Sequence, residues 1–465
     1  MVFTMHLLAG FSKRDITPSL DRKVYLAGFG RNRVAEGVHD RLWVRCMALS
    51  DGKSTLVLAA LDLVGLFYEP YTVELRRMFK NMHLVVASTH NHNGPDTLGL
   101  WGPNVFTSGV DSNYMDFLIR QIASCVSDAL ERLKPVHLRV AADDRDELAE
   151  MQGDCRPPVV KDPTLNVVQA LEDSGRPVFT LIQWSNHPET LGGSNTLITA
   201  DFPGVVCDRV EKETGGGALY VNGAIGGLLS PLSMEKPLTD PDTGKPVERK
   251  SFREMEVLGL KIAEIALNAV EEGETVEEAD VKVRFKQVFI PLRNRVFRAL
   301  AGLGVLKRPL YTCGRLDQRT GRMNIPGFGE VEAALGEDIL SEVGVLDIGP
   351  VQAVLIPGEI YPELVNGGLT RLPGADYPDA LFEPVIRSHM TGRYKLVIGL
   401  ADDEIGYIIP MCEWDDEPPW LNNSEEPTYG EINSLGYDTA SVICESLKEL
   451  LEEPSQQVED PRLPS

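Results

Sequence analysis

Four side chains suited to holding a metal ion stand where hydrophobic runs of this chain stop. In VVASTHNHNGPDT, residues 85–97, a hydrophobic run delivers His90 and His92 to a turn at Gly94-Pro95. If the run is a strand, alternation puts both imidazoles on one face. VFTLIQWSNHPETLGG, 178–193, ends in His187-Pro188; VGVLDIGPVQAVLIPGEIYPEL, 343–364, contains a strand stopping at Pro357-Gly358-Glu359; KLVIGLADDEIGYIIP, 395–410, contains one stopping near Tyr407. Two neutral imidazoles and a carboxylate are the usual catalytic zinc set, with a position left for water. A tyrosine oxygen can be a fourth ligand or can donate to an oxyanion. Each residue also has a plainer reading. His187 before proline can be a turn residue, Glu359 can cap a helix over 360–370, and Tyr407 can be core with its hydroxyl at the rim.

The elements that must position these groups alternate between strand and helix. LLAGFSKRDITP reads as a first strand, and Leu42 to Leu49 as an alternating one. STLVLAALDLVGL, 54–66, is a near-continuous apolar run, the pattern of a strand buried on both faces. Asp62 interrupts it and needs a partner, either as support for a metal-bound histidine or as a cap on the following turn. Residues 69–82, 112–133, 203–214, 251–273 and 436–452 read as helices, and 136–142 and 164–171 as strands. The Gly-rich loop GFGRNRVAEG lacks the strand-turn-helix context of a dinucleotide fingerprint and reads first as an ordinary connection, with a backbone loop near a site as the alternative. The pattern predicts an α/β fold: one large domain over 1–452, mixed β-sheets flanked by helices, and a metal site at strand ends. The polar, Pro-containing tail 453–465 is expected to be disordered.

Composition narrows the function classes. The net charge of −24 excludes a basic nucleic-acid-binding surface. Seven scattered cysteines without CxxC spacing fit a reduced, cytoplasmic setting and offer no thiolate zinc site. No run of about 18 apolar residues is present, so no transmembrane segment is expected; the start has no basic leader, so no signal peptide is expected. One stretch runs against the overall charge. Residues 291–325 carry Arg293, Arg295, Arg298, Lys307, Arg308, Arg315, Arg319 and Arg322, and read by default as a solvated loop, with a lid or a self-association surface as alternatives.

The ordered set AGFSKRDITP, LAGFGRNRVAEGVHDRLWVR, VLAALDLVGL, STHNHNGP, IQWSNHPETLGGSN, ITADFPG, NGAIGGLLSP, VLIPGEIYPEL and VIGLADDEIGYIIP, spanning 9–410, resembles the neutral (non-lysosomal) ceramidases. These are zinc amidohydrolases that split ceramide into sphingosine and a fatty acid. The resemblance implies His90, His187, Glu359 and Tyr407 as ligands of Zn2+. It places His92 beside the metal as an acid/base or oxyanion-stabilising group, and Arg156 in the pocket. Ser230 stands for the family's active-site serine. The chain departs from the family in three ways. GGLLSP replaces Gly-Asp-x-Ser-Pro, with Gly227 for the aspartate and one residue inserted; THNHNGP replaces THTHSGP; and no C-terminal immunoglobulin-like domain or secretion signal is expected.

The implied chemistry is attack of metal-activated water on a linear amide, as in an N-acyl lipid, with Tyr407 and Arg156 steadying the oxyanion and His92 moving the proton. Two other readings stay open: a metal-dependent esterase or amidase on a small soluble substrate, and an inactive relative that binds a ligand.

Overall fold

The hydrophobic runs assemble into two sheets. In the computed structural model, which describes residues 7–325, 328–421, 425 and 429–453, the first sheet is nine-stranded. Its strands are β1 (Leu7–Asp15), β2 (Trp43–Ser50), β3 (Thr55–Leu61), β4 (His83–Ser88), β5 (Lys134–Asp143), β6 (Leu165–Leu171), β7 (Pro177–Trp184), β8 (Gly217–Asn222) and β9 (Glu274–Val276). They lie in the order β8-β7-β6-β5-β1-β2-β3-β4, with β9 beside β5. The pairs β3–β4 and β7–β8 are parallel and the rest antiparallel. Both strands that deliver histidines, β4 and β7, thus belong to parallel pairs, whose ends are where α/β folds gather ligands.

Ten further strands follow: β10 (Val281–Pro291), β11 (Tyr311–Thr312), β12 (Arg315–Leu316), β13 (Thr320–Ile325), β14 (Gly329–Ala334), β15 (Asp338–Ile348), β16 (Val351–Leu355), β17 (Glu359–Ile360), β18 (Tyr394–Ile398) and β19 (Tyr407–Ile408). The second sheet runs β12-β11-β15-β16-β18, with β10 along β15; β13 and β14 form a hairpin, and β17 pairs with β19 alone.

The two sheets bury a common interior. Leu7, Met47, Leu49, Leu56 and Leu58 of the first meet Leu346, Ile348, Val351, Leu396 and Ile398 of the second. Helices cover the outer faces. Helix α1 (Val73–Met78) follows β3, and α2 (Ser112–Glu131) packs Leu118, Ile122 and Val126 against β2–β4. Helices α3 (Asp201–Thr214) and α4 (Phe252–Glu271) cover β6–β8. Helix α5 (Arg295–Gly302) lies on the β13–β14 hairpin, and α6 (Thr439–Glu452) packs Ile443 and Leu447 onto β10 and β15. With layers on both sides, β3 and β4 are buried on both faces, which accounts for their unbroken apolar sequence. The expected α/β domain of mixed sheets flanked by helices is therefore the fold.

Local signals set the helix starts. Asp111 accepts from Asn113 N at 2.9 Å and Ser251 from Glu254 N at 3.1 Å, while Glu254 reaches back to Lys250 N at 2.7 Å, a reciprocal cap. The helix expected over 69–82 is shorter. Glu69 is extended (φ −106°, ψ 131°) before Pro70, and regular helix begins only at Val73. The segment 291–325 is not a solvated loop. It holds α5, capped by Asn294, then β11, β12 and β13, and its Arg308 is a buried partner of Asp403. Of the tail expected to be disordered, 454–465 lies outside the described residues. Among the described residues no helix is long and apolar enough to cross a membrane.

Candidate metal centre and its cavity

The two histidines after β4 converge through a turn rather than a shared strand face. The strand ends at Ser88, and His90 sits in the left-handed region at φ 66°, a costly conformation for a residue with a Cβ. Asparagines hold the turn there. Asn91 Nδ2 donates to Asp62 O at 3.2 Å and Thr199 O at 2.8 Å, and Asn93 Nδ2 donates to Asp201 at 3.0 Å. These are the positions that depart from the family's threonine and serine. A second turn, after β7, carries His187. His92 N bonds Pro188 O at 3.1 Å, and Asn222 Nδ2, at the end of β8, donates to both Thr89 O and Asn186 O at 2.9 Å. Three strand ends are thereby fastened together. The nitrogens of His90, His92 and His187 lie within 4.8 Å of one another, all buried.

The carboxylate arrives from the second sheet. Residues 400–402 dock on the edge of β4 through Ser88 N to Leu400 O (3.1 Å) and Asp402 N to Val86 O (2.6 Å), carrying β19 towards the histidines. There Glu359 and Tyr407 face each other across the parallel β17–β19 pair. Glu359 Oε2 lies 2.9 Å from His187 Nε2 and 3.4 Å from His90 Nε2. The Nδ1 atoms of the same rings face backbone carbonyls, Val64 O at 2.8 Å and Leu229 O at 2.7 Å. Those carbonyls assign the ring protons to Nδ1, so each Nε2 presents a lone pair. Two lone pairs and a carboxylate oxygen, acceptors all, aim at one point, an arrangement that a cation satisfies. Zinc bonded at about 2.1 Å would set donor atoms about 3.4 Å apart in a tetrahedron, the His90–Glu359 separation. The residues present fit such an ion.

The charges respond to this crowding. Burial raises the Glu359 carboxyl, but protons placed on His90 and His187 instead of a cation would outweigh burial and hold it well below the usual range. Glu359 in turn overcomes the burial of His90 and raises it, so a proton competes with a cation for that point. Burial and the neighbouring imidazoles press His92 down to about 4, leaving it neutral near pH 7. Glu189, although buried, is lowered to about 2, chiefly by His92. Burial, reinforced by Glu359, pushes the Tyr407 phenol well up.

Above the site opens a cavity of about 80 Å³, counted as the space open to the centre of a water-sized sphere and walled mainly by Val64, Phe67, Leu98, Trp101, Phe297, Ala301, Leu306 and Leu310, with His90, His92, Glu359 and Tyr407 at the polar end. The basic segment supplies much of the apolar wall.

Several expected residues sit elsewhere than the sequence suggests. Asp62 does not support a histidine: its Oδ2 accepts from Trp43 N at 2.8 Å and Arg45 Nη1 at 2.6 Å, making a buried ion pair within the sheet. Arg156 is absent from the cavity wall. Its guanidinium is spent on Glu431, Tyr361 Oη and Glu413 O. Ser230 reaches the site only through Glu189, to which its Oγ donates. Glu359 caps no helix; the helix after it is Pro362–Asn366. The Gly-rich loop is more than a connection, for Gly28 lines the cavity and a Cβ there would lie 2.2 Å from His92 Cγ.

Three residues escaped the sequence reading. Glu189, two positions after His187, stands 3.2 Å from His92 Nδ1; its place in the His-Pro-Glu turn was a usable signal. Tyr429 lines the cavity 6.0 Å from the Tyr407 ring, and Glu404 lines it beside His90. Nothing in the surrounding polar stretch marks Tyr429.

The two-sheet α/β fold is shared with solved neutral ceramidase structures. The neutral ceramidase from Pseudomonas aeruginosa superposes with a TM-score of 0.69 at 16% identity, over 96% of this chain and 74% of that one. A ceramidase complexed with C2 gives 0.68 at 16% identity, with the same coverage. No family model and no curated protein matches the chain.

Proposed function

We propose that this chain is a zinc-dependent amidohydrolase of the neutral ceramidase type, cleaving a linear amide in an N-acyl compound. The observation that carries the reading is the convergence of His90 Nε2, His187 Nε2 and Glu359 Oε2, acceptors without a donor among them, at the floor of an apolar cavity. Tyr407, locked beside Glu359 by strand register, completes the set. Zinc bound there supplies a Lewis acid and brings the pKa of a coordinated water to about 7. The ceramidase fold and the apolar wall support an acyl-bearing substrate.

The chain's own groups divide the remaining work. His92 Nε2 has no hydrogen-bond partner and is free to take a proton and pass it to the departing amine. The Glu189 carboxylate, itself fixed by Ser230, orients His92 and stabilises its protonated form. Tyr429, kept neutral by burial, donates to the oxyanion as it develops on the carbonyl oxygen. Arg156 acts at one remove, anchoring the segment that bears Tyr429.

The test couples metal analysis to hydrolysis of fluorogenic N-acyl amides of several chain lengths, with and without chelator. Stoichiometric metal, lost in His90→Ala and Glu359→Ala but kept in His92→Ala, with chelator-sensitive release from long chains, is expected. Metal retained unchanged in both ligand variants overturns the assignment. Release from short amides or esters alone replaces the N-acyl lipid reading with that of a small soluble substrate.

A further inference from the structure

Glu404 stands in the cavity wall with one carboxyl oxygen that binds nothing. The residue is only 6% exposed. Its Oε1 accepts from Gly406 N at 2.8 Å, which fixes the carboxyl within its own turn. Its Oε2 has no hydrogen-bond partner and lies 4.0 Å from His90 Nδ1, whose own partner is the Val64 carbonyl.

The nearby donors are committed elsewhere. Arg308 Nη2 donates to Asp403 Oδ2 at 2.8 Å, and Ser341 Oγ donates to the same oxygen at 2.7 Å. Two glycines make room for the side chain and its turn. A Cβ on Gly65 would meet Glu404 Cβ at 2.5 Å, and one on Gly406 would meet Asn433 O at 2.0 Å. Val64, Phe67, Leu98 and Ile405 line the cavity with Glu404, and so do the charged or polar Arg308, His90 and Glu359. A buried carboxyl oxygen left without a partner is costly. A leucine would fill the wall without that cost. An occupant of the cavity with a polar group at this point would complete its bonding.

We propose that Glu404 Oε2 forms a polar subsite of the cavity, hydrogen-bonded to a hydroxyl or ammonium group that the substrate carries two or three bonds from its scissile amide. The proposal rests on the reading of the cavity as the seat of an N-acyl compound, but its test needs no turnover. Hydroxyl and ammonium share the required donor chemistry; they differ in charge, which the Glu404→Gln variant separates.

The experiment is equilibrium binding to the full chain, with chelator present to hold turnover off. The probes are N-dodecanoyl propylamine, N-dodecanoyl ethanolamine, N-dodecanoyl ethylenediamine and the 2-hydroxydodecanoyl amide of propylamine. The wild-type protein is expected to bind at least one donor-bearing probe about tenfold or more tighter than the plain propylamide, as a hydrogen bond to a charged or buried acceptor allows. Glu404→Leu should bind the propylamide at least as well and lose the difference. Glu404→Gln, nearly the same in shape, should keep a hydroxyl preference but lose an ammonium one. Equal binding of all four probes by the wild type overturns the subsite while leaving the acyl cavity standing. A donor preference that survives in Glu404→Leu also overturns it. Failure of every probe to bind overturns the cavity reading and the subsite together.

Discussion

Arg156 and Glu431 meet through two parallel hydrogen bonds, Nη1 to Oε2 at 2.8 Å and Nη2 to Oε1 at 2.7 Å, and both side chains are buried. The pair joins the loop before β6 to the short helix Tyr429–Ile432 at the cavity. Removing the arginine leaves a buried carboxylate uncompensated. Arg156→Met is therefore expected to lower stability by about 3–5 kcal/mol in urea denaturation, and Glu431→Gln added to it should restore part of that loss. Arg156→Lys keeps the charge but not the planar fork, and should reduce kcat more than it changes KM as Tyr429 loses its position.

Gly28 is a position where a single methyl is costly. Its φ of 91° disfavours any side chain, and the added Cβ would meet His92. Gly28→Ala should retain bound metal while hydrolysis drops about a hundredfold, because a misplaced proton carrier slows chemistry without emptying the metal site. Loss of metal in this variant would show that His92, and not Glu359, completes the ligand set.

The chain Ser230–Glu189–His92 predicts graded effects. Glu189→Gln should slow turnover by about 10²-fold or more, and Ser230→Ala should cost less, since it removes only a bond to the orienting carboxylate. A larger loss in Ser230→Ala than in Glu189→Gln would instead mark the serine as acting on substrate.

Glu363 offers a test by pH. Burial, then the Glu413 charge, raises its carboxyl to about 8 from the ordinary 4.5. Between those values the unfolded chain ionises while the folded one holds its proton, so stability falls as pH rises and the full penalty is present above about 8. Glu363→Gln should therefore raise stability at pH 8.5, by at most about 5 kcal/mol, and by little at pH 5. Thermal melts at the two values decide it; an equal gain at both would place the effect in packing.

The Arg45–Asp62 pair separates structure from chemistry. Asp62→Ala is expected to destabilise by about 3–5 kcal/mol through the stranded arginine, with metal content per folded molecule unchanged. Reduced metal at equal folding would reinstate Asp62 as a support of the histidine turn.

What could be read in the sequence follows physical range. Buried strands announce themselves locally, because both faces of β3 and β4 are covered and every residue must be apolar. Ligand types at strand ends are local too, and His90, His187, Glu359 and Tyr407 meet in one place. Partners contributed from far along the chain are not local. Arg156 reads as a pocket arginine until Glu431, 275 positions on, claims it. Segment 291–325 reads as solvated because its charges dominate its composition, whereas Phe297, Leu306 and Leu310 turn inwards to the cavity. The His-x-His pair was placed together for the wrong geometric reason: alternation predicts a shared face, and the left-handed backbone at His90 does the work instead.

One side of the cavity wall and the ligand candidates come from different stretches of chain. Phe297, Ala301, Leu306, Arg308 and Leu310 all fall within one short contiguous segment, none of whose residues is among the four ligand candidates. Inheritance can therefore act on the two separately. A lineage could exchange or reshape that one segment, changing which molecules are admitted, while the groups at the strand ends stayed as they are. In such a molecule, selectivity is free to diverge faster than chemistry, and relatives with the same four strand-end side chains need not share a substrate.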